Sequence, residues 1–249
     1  MSVDQSAGLA TLVAERPSRA QLFERLHLDY CCGGSQTLAE ACGRRGLDTN
    51  TVCELLEALD EGRLPAEPRE ERDWREAGIG ELCDHIVSAH HEGLRGELPR
   101  VSELLATVVR VHGGDRPELE EVSRRFARIS GDLEHHLEIE EQALFPACRS
   151  LEANRAAGAV DEELIDRHEA DHSGLGEELV ELRELAGGYD TSQALCSTHR
   201  ALLEALRHFE ADLHRHIHEE NNVLFPRVRE LAGVGAQSSG LGGDRHGQA

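Results

Sequence analysis

Apolar residues recur at helical spacing along this chain, but their runs are short near its start and long afterwards. The difference in run length predicts two kinds of helical structure. Residues 8–62 carry short amphipathic runs, each only two or three turns long, and Gly33-Gly34 separates two of them with a tight turn. From about Ile79 the apolar residues follow long stripes at the helical period of three to four residues. A small helical module is therefore predicted to precede a larger helical domain.

The long stripes predict four amphipathic helices, at about residues 79–111, 118–152, 160–186 and 191–231. Pro99 lies inside the first, but the stripe continues on both sides, which predicts a kink rather than an end. Short connections join the helices, and long helices with short connections form up-down-up-down bundles. We therefore predict an all-α fold with a four-helix bundle.

The stretch between the two parts, EGRLPAEPREERDW at residues 61–74, is charged, contains proline and is almost without apolar residues, which is typical of a linker. The predicted organisation is an N-terminal module at 1–62, a linker at 63–76, a bundle at 77–232 and a disordered Gly/Ser-rich tail at 233–249.

The bundle sequence contains an internal repeat. A shift of 81 residues aligns His91 and Leu94 of the first long helix with His172 and Leu175 of the third. A shift of 80 residues aligns the segment Asp132–Pro146 of the second with Asp212–Pro226 of the fourth. Two related helical hairpins therefore make up the bundle, and equivalent positions are expected to meet near an approximate two-fold axis.

Composition narrows the classes of partner. The formal net charge is −22, and all basic residues are arginine, which argues against nucleic acid or an anionic membrane as a partner. No apolar run approaches the roughly 18 residues of a membrane span, so we expect a cytoplasmic protein. The seven cysteines are irregularly spaced, which predicts free thiols rather than a disulfide framework.

The candidate chemistry lies in the repeat. The segments HHLEIEEQALFP at 135–146 and HIHEENNVLFP at 216–226 each place a histidine four residues before a glutamate, and residues four apart share a helix face. One histidine from each of the other two helices completes the predicted set: His91, His136, Glu140, His172, His216 and Glu220. Four imidazoles and two carboxylates suit two iron or manganese ions better than one zinc ion.

If each carboxylate bridges two metals and each metal takes two histidines, an oxo or hydroxo bridge leaves one position per metal open to dioxygen or nitric oxide. The alternative to a metal site is that these histidines lie on apolar helix faces by chance. The pairwise match of the six residues through the repeat argues against that alternative. By helical angle His90 lies nearer the apolar stripe than His91, but the repeat aligns His90 with an aspartate. We predict that the neighbouring polar residues orient the ligands or lie at the surface: His90, His135, His168, Asp171 and His218.

These motifs resemble the hemerythrin-like domain, and the whole chain resembles the iron–sulfur cluster repair di-iron proteins of the ScdA/YtfE type. The resemblance rests on DYCCGG at 29–34, TLAEAC at 37–42, HHEGLRGELP at 90–99, HLEIEEQALFP at 136–146 and ENNVLFP at 220–226. It implies that the same six residues bind two non-heme iron ions. It also implies repair of iron–sulfur proteins damaged by nitric oxide or oxidants, through iron delivery, nitric oxide handling with reductase-like chemistry, or both. The alternative is a dioxygen or nitric oxide sensor or carrier without repair activity.

Two adjacent cysteines, Cys31 and Cys32, precede Gly33-Gly34. A nearby helix N-terminus would lower their thiol pKa values, and they would then bind iron, take up nitric oxide or form a transient disulfide. The other interpretation is a buried pair of small apolar side chains. The resemblance favours a thiol relay, whereas the remaining five cysteines are predicted to be structural. Some proteins of this type form homodimers, which leaves a dimer open.

Overall fold

The computed structural model describes residues 2–65, 72–153 and 160–233, and the structure over these residues is helical. The prediction of an all-α fold is confirmed. Residues 66–71 of the predicted linker and the predicted tail after Gly233 lie outside the described residues.

The N-terminal module contains four helices: α1 (Leu9–Glu15), α2 (Ala20–Leu26), α3 (Leu38–Arg45) and α4 (Thr49–Asp60). Local sequence sets their limits. Thr37 and Glu40 form a reciprocal capping box at the start of α3, and Asp48 caps α4 by accepting a hydrogen bond from the backbone of Thr51. The helices enclose a separate apolar core around Phe23 and Tyr30.

The bundle contains α5 (Ile79–Ile86), α6 (Glu92–His112), α7 (Glu118–Ile139), α8 (Phe145–Ala153), α9 (Glu162–Leu185), α10 (Ser197–Glu219) and α11 (Phe225–Ala232). Helix α6 packs against α7 and α10, and α9 packs against the same two, so the four long helices close into a bundle. No helix among the described residues is long and apolar enough to cross a membrane.

Three of the four predicted long helices are interrupted by a five-residue π-helical turn. These turns span Val87–His91 between α5 and α6, Glu140–Leu144 between α7 and α8, and Glu220–Leu224 between α10 and α11. The predicted helices therefore continue through these positions, but with π-helical turns that the sequence prediction did not include. Helix α6 continues through Pro99 as predicted, but α10 begins at Ser197 rather than 191 because a separate turn, Thr191–Gln193, precedes it.

Two apolar clusters in the bundle leave a polar layer between them. Along α5 and α6, Ile86 belongs to one cluster and Leu94 to the other. Along α7 and α8, Leu137 belongs to the cluster of Leu94, and Phe145 belongs to the cluster of Ile86. The π turns and the predicted ligand residues lie between these apolar positions, so the fold excludes water above and below the site.

Candidate metal centre

The bundle brings all six predicted ligand residues together. Five of them are fully buried, and His136 is 8% exposed. They form two groups of four, in each of which one ligand atom per residue lies within 4.8 Å of the others. The groups are His91, Glu140, His216 and Glu220, and His136, Glu140, His172 and Glu220. Both glutamates belong to both groups, and each histidine pair joins one hairpin to the other.

The imidazole nitrogens are close to each other and to the carboxylates. Nε2 of His91 lies 3.1 Å from Nε2 of His216, and the corresponding separation between His136 and His172 is 2.9 Å. Glu220 places one oxygen 3.2 Å from His216 and the other 3.2 Å from His172. Two ligands on one metal at about 2.1 Å are about 3 Å apart when they are adjacent. These separations therefore fit shared metal ions.

Apart from the imidazoles, the two carboxylates have no compensating partner among the described residues. All four oxygens of Glu140 and Glu220 are buried, and none accepts a well-aligned hydrogen bond from a described residue. Only imidazoles lie within ion-pairing distance of the two carboxylates among the described residues. Burying an uncompensated carboxylate costs several kcal/mol, and metal coordination is the usual remedy. The donor set consequently fits metal ions of the iron class.

The electrostatics of the protein residues keep both carboxyls ionised. Burial and Glu220 act to raise the pKa of Glu140, but the imidazoles of His136 and His172 lower it below its ordinary value. The pKa of Glu220 is held well below its ordinary value, because His216 and His172 outweigh the effect of burial. The lowering depends on positively charged imidazoles beside the carboxyls, and a bound metal cation would take over that compensation.

Two residues that the sequence prediction missed hold ligand histidines in place. Glu141 lies 2.8 Å from Nδ1 of His91, and Asn221 lies 2.7 Å from Nδ1 of His172. These contacts leave the Nε2 atoms directed at the carboxylates, the usual way in which an outer residue sets the tautomer of a ligating histidine. The repeat aligns Glu141 with Asn221, and both follow a ligand glutamate, so this shared polar position was the available signal.

The Leu-Phe-Pro ends of both motifs pack below the site. The ring of Phe145 stacks on His91 with centroids 5.6 Å apart, and Phe225 stacks on His172 at 6.1 Å. Both phenylalanines are fully buried. They fix the planes of two imidazoles and exclude water from that side.

The other predicted polar residues differ in their placement. His135 and Asp171 are exposed, and Asp171 lies 3.8 Å from Nδ1 of His136. The remaining three are buried. His168 donates from Nδ1 to the carbonyl of Leu164 while its ring lies against His136, and the buried His218 packs against the N-terminal module. His90 has a separate set of partners, described below.

Two openings flank the predicted ligands His136 and His172. One is a groove of about 350 Å³ whose lining includes His135, His136, Asp171 and His172. The other is a cavity of about 380 Å³ between the module and the bundle, and its lining includes Cys31, Cys32 and Ser173. His136, the one ligand with residual exposure, lines the groove. The groove is therefore the more direct route for a small ligand.

The turn that contains Cys31 and Cys32 is organised by Asp29 rather than by a helix. The carboxylate of Asp29 accepts hydrogen bonds from the backbone of Cys31, Cys32 and Gly33. Helix α3 begins only at Leu38, so the predicted influence of a helix N-terminus on these thiols was wrong. Cys31 is buried, whereas Cys32 is exposed and its Sγ lies 3.6 Å from the carbonyl oxygen of His172.

The pKa values of the two thiols are shifted in opposite directions. The Cys31 thiol lies 3.8 Å from the Cys32 sulfur and hydrogen-bonds to it, which lowers the pKa of Cys32 and raises that of Cys31, where burial acts in the same direction. The pair thus has one nucleophilic sulfur, that of Cys32, at the surface of the cavity. The other five cysteines are also free, and Cys196 caps α10 from an exposed position.

Comparison with known proteins agrees with this architecture. Residues 83–228 match the hemerythrin HHE cation binding domain, and residues 5–60 match ScdA_N, described as a domain of unknown function. The iron–sulfur cluster repair protein YtfE of Pectobacterium atrosepticum is 35% identical over 226 residues, which cover 90% of this chain and 96% of that protein. The protein of the same name from Dickeya chrysanthemi is also 35% identical, with 90% and 96% coverage. That of Yersinia pseudotuberculosis is 33% identical, with 90% and 97% coverage. The chain belongs to the family of iron–sulfur cluster repair proteins with a hemerythrin-like metal-binding domain.

Proposed function

We propose that this protein repairs iron–sulfur clusters damaged by nitric oxide or oxidants, using two non-heme iron ions held in the bundle. The proposed ligands are His91 and His216 for one ion and His136 and His172 for the other, with Glu140 and Glu220 shared. The proposed clients are damaged iron–sulfur proteins, in agreement with the names of the relatives.

One observation carries the proposal of two ions. The four buried carboxylate oxygens lack aligned hydrogen bonds, and each glutamate lies within reach of both histidine pairs. A single ion would use only one histidine pair and leave the other without a partner. The presence of two complete groups that share two carboxylates favours two ions over one.

When bound, two iron ions supply one-electron redox chemistry toward small ligands such as nitric oxide, and ions that can be released for cluster assembly. The protein residues orient and protect that centre. Glu141 and Asn221 fix the tautomers of His91 and His172, while Phe145 and Phe225 exclude water beneath them. The groove beside His136 admits small molecules from the opposite side.

We further propose that the Cys32 thiol relays iron or nitric oxide between the metal centre and the damaged client protein. It is exposed, its pKa is lowered by the Cys31 thiol, and it lies against the backbone of His172. Loss of repair by a Cys31→Ala, Cys32→Ala double variant that keeps its iron would support the relay. Unchanged repair by that variant would remove the cysteines from the mechanism and leave the di-iron proposal standing.

The central experiment measures iron and repair in the same variants. Glu140→Ala and Glu220→Ala are each expected to reduce iron from about two ions per chain to nearly none, since each side chain is shared by both ions. The control is Glu134→Ala, which removes an exposed glutamate of helix α7, the helix that precedes the turn of Glu140, and should leave iron unchanged. Iron is counted by mass spectrometry, and repair is the recovered activity of a dehydratase whose cluster nitric oxide has damaged.

Loss of only one ion in either glutamate variant would contradict the shared arrangement. A wild-type protein that holds two ions but restores no client activity would identify a sensor or carrier and contradict repair. Fewer than one iron per chain in protein purified without chelator would contradict the di-iron proposal itself.

A further inference from the structure

A second cluster of metal-binding side chains lies outside the six-residue centre. It consists of His85 at the end of α5, His90 in the first π turn and Glu219 at the end of α10. One ligand atom from each lies within 4.8 Å of the other two. The family match and the proposed di-iron site give no role to this cluster.

The distances in the cluster suit a metal better than an ion pair. Oε2 of Glu219 lies 3.3 Å from Nε2 of His85 and 3.5 Å from Nε2 of His90. A charged hydrogen bond between imidazole and carboxylate is typically about 2.8 Å long. Ligands of a tetrahedral zinc ion, bound at about 2.0–2.1 Å, are about 3.4 Å apart. The observed separations match the second arrangement.

The polar atoms that face each other are also unsatisfied. Both Nε2 of His90 and Oε2 of Glu219 are buried without an aligned hydrogen-bond partner among the described residues. The His90 side chain is only 6% exposed. Buried polar atoms that lack partners indicate an ordered water or an ion, and an ion would also compensate the buried Glu219 carboxylate.

Asp212 gives His90 the orientation of a metal ligand. Its Oδ1 lies 3.1 Å from Nδ1 of His90, so Nδ1 donates to the carboxylate and Nε2 is directed at Glu219. Carboxylate contacts of this kind orient histidines that bind zinc. Arg215 contacts the same oxygen of Asp212 at 3.0 Å and balances its charge.

His85 is held by a different contact. Its ring stacks on Trp74 of the predicted linker, with centroids 3.9 Å apart. The guanidinium of Arg72 covers the Trp74 ring at 4.2 Å. A cavity of about 30 Å³ with room for one water borders Trp74 and Glu219, and neither His85 nor His90 lines it.

We propose that His85, His90 and Glu219 form a third, mononuclear site for a divalent transition-metal ion such as Zn²⁺ or Fe²⁺. Two imidazoles and one carboxylate with an open fourth position are a common donor set for such ions. The site is separate from the di-iron ligands, but the His90 ring stacks on that of His216 with centroids 5.8 Å apart. The third ion would therefore lie beside the bundle centre and under the segment that enters it from the N-terminal module.

The test uses Zn²⁺ as the probe and the full chain loaded with iron, so that the di-iron site is already occupied. After incubation with zinc and desalting, mass spectrometry counts both metals per chain. We expect one retained zinc in addition to the iron. Glu219→Gln and His90→Gln should each reduce the retained zinc at least tenfold without reducing iron. His208→Gln, which changes an exposed histidine of the same helix α10, is the control and should bind zinc like the wild type.

Zinc that is not retained, zinc that replaces iron one for one, or equal retention by Glu219→Gln would each overturn the proposal. If His90→Gln or Glu219→Gln also loses iron, the His85→Gln variant tests the third site instead. His85 is partly exposed, and its contacts are with Glu219, Trp74 and His90, none of which is a proposed di-iron ligand. Iron retention with zinc loss in His85→Gln supports the third site, and zinc retention in that variant overturns it. Repair activity is measured separately, so failure of the third site is distinguishable from failure of the repair function.

Discussion

At the scale of single residues, two adjacent cysteines with identical chemistry differ because of their surroundings. Cys31 is buried within the bundle core cluster, while Cys32 faces the cavity. The Cys31 thiol hydrogen-bonds to the Cys32 sulfur, which stabilises the thiolate of Cys32. The two thiols are therefore expected to react at different pH.

Alkylation should distinguish the two cysteines. Because its pKa is lowered, Cys32 retains thiolate to lower pH and should react first with iodoacetamide as the pH rises, whereas Cys31 should remain unmodified. The measurement is peptide mass spectrometry across pH 6–9 (about the range in which ordinary thiols titrate), in a Cys196→Ser background that removes the other exposed thiol. Cys31→Ala should shift the Cys32 profile to higher pH, and an unshifted profile would contradict the proposed hydrogen bond.

The neighbouring residues Asn221 and Asn222 offer a matched pair of substitutions. Asn221 contacts Nδ1 of the proposed ligand His172, whereas Asn222 donates from Nδ2 to the carbonyl of Cys31 at 2.8 Å. Asn221→Ala is expected to weaken iron binding about 10–100-fold, the usual effect of removing an outer partner of a ligand. Asn222→Ala should leave iron affinity close to wild type. Competition with a chelator measures both, and equal affinities in the two variants would contradict the assignment.

The repeat predicted the six residues of the centre because identical chemistry at equivalent positions is visible in a sequence. It did not predict which histidines pair. His91 meets His216, and His136 meets His172, so each pair combines non-equivalent positions of the two hairpins. That outcome depends on how the hairpins cross the two-fold axis, which spacing within one helix does not encode.

At the scale of secondary structure, the π turns are the features that periodicity alone did not predict. Two of them begin at the proposed ligand glutamates, Glu140 and Glu220, and the third ends at His91. A π turn accommodates one residue more than an α-helix, so the apolar face continues in space while the sequence spacing gains one residue there. Spacings of four residues also occur in regular helices, so the stripe alone did not reveal the turns. Such turns are frequent at functional sites, and here they coincide with proposed ligands.

Deletion of Ala143 tests what the second π turn contributes. Ala143 is an exposed residue inside Glu140–Leu144, and its removal should convert the turn to regular helix while both flanks keep their faces. Each residue of an α-helix advances by about 100°, more than in a π turn, so Glu140 would be directed away from its present position. We expect unchanged helix content by circular dichroism, a metal-free melting temperature that does not fall, and loss of most iron.

The control is deletion of Glu134, an exposed residue in the regular part of α7. This deletion rotates the preceding turns by about 100° relative to the site and should lower the melting temperature strongly. Retention of two iron ions by the Ala143 deletion would show that the π turn is dispensable for the centre.

At the scale of the whole molecule, one hairpin of the duplicated bundle has been adapted to hold the N-terminal module. His214 contacts Glu24 of the module, and His218 and Asn222 contact the backbone of its DYCCGG turn. The repeat aligns these three residues with Glu134, Glu138 and Gln142, which are exposed. The departures from the repeat therefore mark the docking face, although a sequence alone does not say what docks there.

The close approach of the DYCCGG turn to the bundle predicts a different outcome for two glycines of the module. A methyl group at Gly34 would meet the carbonyl oxygen of Tyr30 at 2.5 Å, the side chain of Ala10 at 2.6 Å and Oδ1 of Asn222 at 3.0 Å. Gly34→Ala should therefore distort the turn within the module and, through the contact with Asn222, displace it from the bundle. Gly43 has no atom within 4 Å of such a group and lies in α3, so Gly43→Ala is the control and should be neutral or slightly stabilising.

With the turn displaced, Cys31 should lose its burial and become reactive toward iodoacetamide, while the six bundle ligands should keep their iron. Repair should fall, because Cys32 would no longer lie against His172. Full repair by Gly34→Ala with Cys31 exposed would show that the docked position of the module is unnecessary. Loss of iron in the same variant would instead show that the module stabilises the centre itself, since none of the six proposed ligands belongs to the module.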